Sequence, residues 1–246
     1  LYFRAFDEKF IEEIRSYAIN YFRKILSNLG WEPQKSDKHT DALLRTFTIA
    51  VLGKMNDDSV TDEAIRQYQK FLKSPSSLSP DLIETICSIA AWNGNSKTFA
   101  ELKKLYTNAK TMEEKLRFLG EMCGFQDKKL LVKTLNFSQT PEVRSQNMQL
   151  PIMKVAGNPY GEKVLWPWLK KNWKNINKKV GHGNPLFNRI VASIAGVADD
   201  SMENEIKLFF KNNPTPGTER TQSQTLERIR INSKFLRTMR KEFKNG

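Results

Sequence analysis

The chain has 246 residues, 39% of them hydrophobic and 27% charged, and its 40 Lys and Arg against 27 Asp and Glu give a formal net charge of +13. That balance excludes a disordered chain, and no apolar run reaches the length that crosses a bilayer. Two cysteines, Cys87 and Cys123, exclude a disulfide framework; both lie in apolar helical patterns and read as buried free thiols of a reducing compartment, the cytoplasm.

The first ten residues, LYFRAFDEKF, lack a signal-peptide layout and read as the inside of a helix already under way, as in a fragment of a longer protein. Asp7 to Leu29 carries Phe10, Ile14, Ala18, Phe22 and Ile25 at steps of three and four, which predicts a long amphipathic helix ended by Gly30. A second helix runs from Thr40 through Leu43, Phe47, Ala50 and Val51 to a stop at Gly53. A third carries Val60, Ala64, Tyr68 and Phe71 and closes at the SPSSLSP loop. Ser79-Pro80 opens a fourth, with Ile83, Ile86 and Ala90 inward. Segments around Phe99–Leu105, Met112–Cys123 and Asp127–Phe137 follow.

Thr140-Pro141, Asn158-Pro159 and Asn184-Pro185 repeat the same punctuation, an N-capping oxygen followed by a ring suited to the first turn, and each predicts a helix start. The helix after Asn158 sets Trp166, Trp168 and Trp173 on a core-facing side and Lys163, Lys170, Lys171 and Lys174 towards solvent. Pro151 and Pro167 fall inside apparent helices and are expected to bend or break them. Helices through Leu186–Ile194, Met202–Phe209 and Leu226–Leu236 complete the chain. No period-two alternation predicts a strand. The reading is all-α: one domain, residues 1–246, of antiparallel helix pairs recurring every ~35–45 residues, the size of HEAT- or armadillo-like units stacked as a curved α-solenoid.

Chemistry is sparse. His39 and His182 stand far apart and neither lies in an HExxH frame; His39 falls near a helix start and His182 in a Gly-His-Gly turn. No phosphate-binding glycine loop occurs, and two histidines leave little from which to build a nucleophile–base pair. The chain is read as carrying no complete active site, no metal and no cofactor. Lys163 to Lys179 holds six lysines and no acid. Arg220, Arg228, Arg230, Arg237 and Arg240 lie on the terminal helix. Each is most simply a solvated cation; together they suit a basic wall facing an anion. Arg144, in the first helical turn beside Gln146 and Asn147, gains nothing from the helix dipole. An ion pair with Glu142 or another helix accounts for it, as does contact with a ligand.

Several blocks resemble the C-terminal helical domain of the aminopeptidase N family of zinc aminopeptidases: LGWEP and HTDALLR between Leu29 and Arg45, PEVRSQN from Pro141 to Asn147, the Asn158–Trp173 run, and Phe209 to Asn232. Among its members the likeness is nearest to puromycin-sensitive aminopeptidase and the archaeal enzymes that act with the tricorn protease. The resemblance implies a HEAT-like superhelix that closes over a separate zinc-bearing catalytic domain, walls an internal cavity, limits access and helps hold the far end of a peptide. It also implies that zinc belongs to that other domain and that this chain alone is inactive. Its partners would be its own catalytic domain, peptides and a tricorn-like protease. Candidate substrate contacts within the matching blocks are Arg45, Arg144, Gln146 and Asn147. The chain has Asn147 where relatives commonly carry a carboxylate, and Ala195 and Gly196 where some carry a polar residue towards the cavity, so no binding role passes to that helix. A different class of function, a free-standing basic repeat protein binding nucleic acid, fits the net charge but lacks aromatics interleaved with an exposed basic stripe.

Overall fold

A computed structural model describes residues 8–181, 184–197 and 199–244. His182 and Gly183 lie outside them. The described residues are helical throughout, without strands: α1 (Glu8–Leu29), α2 (His39–Lys54), α3 (Asp58–Lys73), α4 (Pro80–Trp92), α5 (Ser96–Asn108), α6 (Met112–Glu121), α7 (Lys128–Ser138), α8 (Gln149–Gly157), α9 (Glu162–Val180), α10 (Leu186–Ser193), α11 (Glu203–Asn212) and α12 (Glu219–Lys244). The all-α expectation holds. The helices form two compact units, one ending at Phe125 and the other taken up from Gln126.

In the first unit each helix packs on its sequence neighbour, and α4 also touches α2 and α6, the helices two places away. Its core gathers Ile49, Leu52, Tyr68, Phe71, Leu82, Ile86 and Phe125, with Cys87 and Cys123 buried and free. Burial pushes the Cys87 thiol well above its usual range, which leaves it inert. Gly30 ends α1 at φ +65°, as a left-handed C-cap requires. Gly53 does not stop α2 as expected. It lies in the last turn against Ile89, whose side chain a Cβ would meet at 2.5 Å, and the chain turns at Asn56 instead, at φ 59°.

In the second unit α7 packs on α9, and α8, α10 and α12 touch in succession. The core is aromatic. The Trp173 ring meets Phe187, Phe209 and Phe210 edge-on, with centroids 5.7, 5.3 and 5.6 Å away, so one side chain locks α9 to α10 and α11. Trp166 packs on Phe209, and Trp168 Nε1 donates to Asn136 Oδ1 at 2.8 Å, tying α9 to α7. All three tryptophans are buried, as their spacing predicts.

The proline punctuation holds in part. Asn158 Oδ1 accepts from Tyr160 N–H and Asn184 Oδ1 from Leu186 N–H, at 2.8 and 3.0 Å, and each opens a helical segment. Thr140-Pro141 does not start a helix. The Thr140 hydroxyl donates back to Phe137 O at 2.9 Å, and Lys179 Nζ donates to the carbonyls of Ser138, Thr140 and Val143 at 2.8–3.0 Å. The stretch therefore terminates α7. Pro151 stands in the first turn of α8, where its missing N–H costs nothing, and α9 runs on through Pro167 without a break. Truncating Trp173 to Ala is expected to destabilise the second unit by about 3–5 kcal/mol, read as an earlier denaturant midpoint.

Candidate functional site

The residues marked by sequence fare differently. Arg45 is 1% exposed. Its Nε donates to Gly30 O at 3.1 Å, and its Nη2 to Leu29 O at 3.0 Å and Asp37 Oδ2 at 2.7 Å. These contacts fasten the end of α1 to α2 and engage Nε and Nη2 of the guanidinium inside its own unit. The Asp37 carboxyl is held below its usual range, chiefly by the Gln34 N–H and further by Arg45. Arg45 thus serves as a structural cation within its own unit.

Arg144 and Gln146 are exposed and Asn147 half-buried. Arg144 does not stand in an α-helical first turn. It is extended (φ −58°, ψ 143°) just before the 3-10 turn Ser145–Asn147. Among the described residues its guanidinium has no ion pair. Gln146 borders a chain of polar contacts: its carbonyl accepts from Gln149 Nε2, and Gln149 Oε1 accepts from Arg189 Nη1, both at 3.4 Å.

Arg189 leads to the feature that sequence reasoning missed. On the face made by α8, α10 and α12 lies a hollow of about 430 Å³ lined by Ala156, Gly157, Ala192, Ala195 and Gly196, with Arg189, Arg228 and Asn232 around it. A second hollow of about 620 Å³ adjoins it, sharing Ala192, Arg228 and Asn232. Small side chains make the floor, because the backbones approach closely: a Cβ on Gly196 would stand 3.0 Å from Ala156 O. The walls are fixed. Asn232 Nδ2 donates to Ala195 O at 3.1 Å, and Thr225 Oγ1 to Thr221 O at 2.7 Å. Among the described residues no carboxylate lines the first hollow, and Glu227 is the acid of the second.

Two other cations of α12 are occupied. Arg230 forks onto Glu203, which also takes Lys207, and Arg237 pairs with Asp200. Arg230 and Lys207 pull the Glu203 carboxyl down to about 2. Of the lysines of α9, Lys170 pairs with Glu205 and Lys179 is the carbonyl clamp, its pKa lowered by burial. Arg228 is exposed at the groove and has no ion pair among the described residues, and Arg189 stands beside it. The signal for it was a residue pair one turn apart, Arg228 and Asn232, facing the small-residue run Ala192–Gly196.

A third hollow, of about 720 Å³, lies within the first unit, where Lys73, Lys104, Lys110 and Arg117 share the walls with Glu101 and Glu114. Its mixed charge marks it less sharply for an anion. No group of three or more His, Cys, Asp or Glu able to hold a metal occurs among the described residues, so the donors present do not fit zinc. None of the described helices is long and apolar enough to cross a membrane.

An all-α chain without a metal cage, presenting a basic groove floored by small residues, matches the family described as "ERAP1-like C-terminal domain" over residues 2–231, and it belongs to that family. It is 31% identical to Aminopeptidase M1-C and 30% to Aminopeptidase M1-D, both of Oryza sativa subsp. japonica, over 94% of this chain and 27% of each relative. It is 25% identical to Aminopeptidase 2, mitochondrial, of Saccharomyces cerevisiae, over 92% of this chain and 24% of that protein. The chain thus spans about a quarter of the length of these relatives and corresponds to one domain of a larger aminopeptidase.

Two outcomes check this division of labour. Arg45→Ala is expected to cost about 3–5 kcal/mol of stability, because it strips a buried ion pair of one partner, while leaving ligand affinity at the groove unchanged. Glu203 has a depressed folded pKa, so its stabilising pairing is complete above the ordinary value of 4.5 and is lost as pH falls through about 2. The difference in Tm between the native chain and Glu203→Gln is therefore expected to be largest above pH 4.5 and to vanish near pH 2.

Proposed function

We propose that this chain is the non-catalytic C-terminal part of a zinc aminopeptidase, walling the cavity in which peptides are trimmed, limiting access and holding the peptide's far end. The reading rests on family membership together with one observation: Arg228 and Arg189 flank a hollow that has no acid in its lining among the described residues. A peptide's C-terminal carboxylate is the anion such a groove suits, since guanidinium groups grip carboxylates by charge-assisted hydrogen bonds. Asn232 adds an amide, and the small-residue floor admits the last side chain without steric selection. The groove lies on the alternate helices α8, α10 and α12, the packing a stacked helical repeat would use to build a concave wall. Hydrolysis and zinc fall to the part of the enzyme outside this domain. We place the protein in the cytoplasm on the strength of its two free, buried thiols.

Nucleic acid is the weaker partner. Arg230, Arg237, Lys170 and Lys179 are held by internal contacts, which removes four cations from any track for phosphates.

The test is kinetic, in the full-length enzyme. Arg228→Gln combined with Arg189→Gln is expected to lower kcat/KM about tenfold or more for peptides with a free C-terminus, mainly through KM, and to leave the same peptides unaffected when amidated. An equal loss on acid and amide would contradict the carboxylate reading.

A further inference from the structure

α1 is underpacked. It has 22 residues, a length of about 33 Å, yet Leu26 is its one buried residue among those described, whereas α2, α3 and α4 bury five or six each. It is held from one side: Arg23 Nε pairs with the buried carboxylate of Asp57 at the start of α3, and the Phe22 ring meets Phe47 of α2 with centroids 5.8 Å apart. Ile14, Tyr17 and Tyr21, spaced three and four apart on a common stripe, are exposed, Tyr17 to 74%. α2 extends the apolar surface with Leu43, Leu44 and Phe47, exposed to 61%, 40% and 56%. The surface is continuous, because Tyr21 meets Phe22 at 5.4 Å and Phe22 meets Phe47. Two adjacent helices therefore carry six of the eleven exposed large hydrophobic side chains among the described residues.

Single apolar side chains at a surface need no explanation, but a contiguous patch of roughly several hundred Å² marks an interaction face. We propose that this α1–α2 face is where the folded remainder of the same polypeptide docks, through a complementary apolar surface poor in charge. The relatives carry most of their length outside the matched region, so a partner large enough to cover the patch is part of the same chain. The covalent link to that remainder holds it at high effective concentration near this domain. A second copy is the poorer occupant, since each copy brings a net charge of +13. The proposal rests on the reading that this chain is one domain of an aminopeptidase, and it assigns the surface that joins the two parts.

Hydroxyl-radical footprinting of the full-length protein tests it, with peptidase activity assayed on the same sample. Tyr17, Tyr21, Leu43 and Phe47 are expected to react at least about fivefold more slowly than their exposure here implies. In Tyr17→Glu/Leu43→Glu, two substitutions at exposed positions that leave the unit's own core intact, that protection is expected to disappear and thermal unfolding to split into separate transitions. Full reactivity in an active enzyme would overturn the docking proposal alone. Protection that vanishes on dilution from dimer to monomer would also overturn it, in favour of a second copy. Protection in a monomer without peptidase activity would support docking while overturning the functional reading.

Discussion

The Trp173 side chain is the constraint on which the second unit depends. Its contacts with Phe187, Phe209 and Phe210 fix α9, α10 and α11 about one buried indole. Aromatic burial of this kind carries several kcal/mol, more than any surface ion pair in the molecule. With α10 set by that cluster, its other side packs against α8 and α12. There the close approach of backbones leaves room for small side chains only, and the groove follows from that restriction. A packing rule in the core thus shapes a hollow at the surface.

Charge is sorted by the same architecture. A net charge of +13 suggests a diffuse basic surface. Much of the visible cation set is instead structural: Lys179 finishes a helix end, Arg45 anchors α1, and Arg230 and Arg237 staple α12 to the segment around Asp200 and Glu203. Exposed cations without an ion pair among the described residues remain on α9, at Lys163, Lys171, Lys174 and Lys178, as well as beside the hollow, at Arg228.

The twelve described helices were legible because amphipathic spacing and caps are local signals, and Asn158 and Asn184 cap as their side chains allow. Thr140 misled because the same residue pair can close a helix, and the lysine that decides the matter stands 39 residues further on. Arg45 lay in a block shared with a family, but its burial depends on carbonyls at Leu29 and Gly30, a tertiary fact invisible to spacing. Neither Arg144 nor Gln146 lines the groove, and only Gln146 is linked to it, through Gln149 and Arg189. The groove itself requires three helices distant in sequence, and the small-residue run Ala192–Gly196 gave no sign alone. The exposure of α1 was likewise hidden, because its periodic stripe describes an apolar face and not what covers it.

Photo-crosslinking reads the central claim most directly. A peptide carrying a diazirine at its C-terminal residue, bound to the full-length enzyme, is expected to label the groove, at Met153, Ser193 or Ile231. Masking the peptide's terminal carboxylate as an amide should abolish that labelling. Crosslinks confined to residues outside α8, α10 and α12, or labelling indifferent to the carboxylate, would contradict the account.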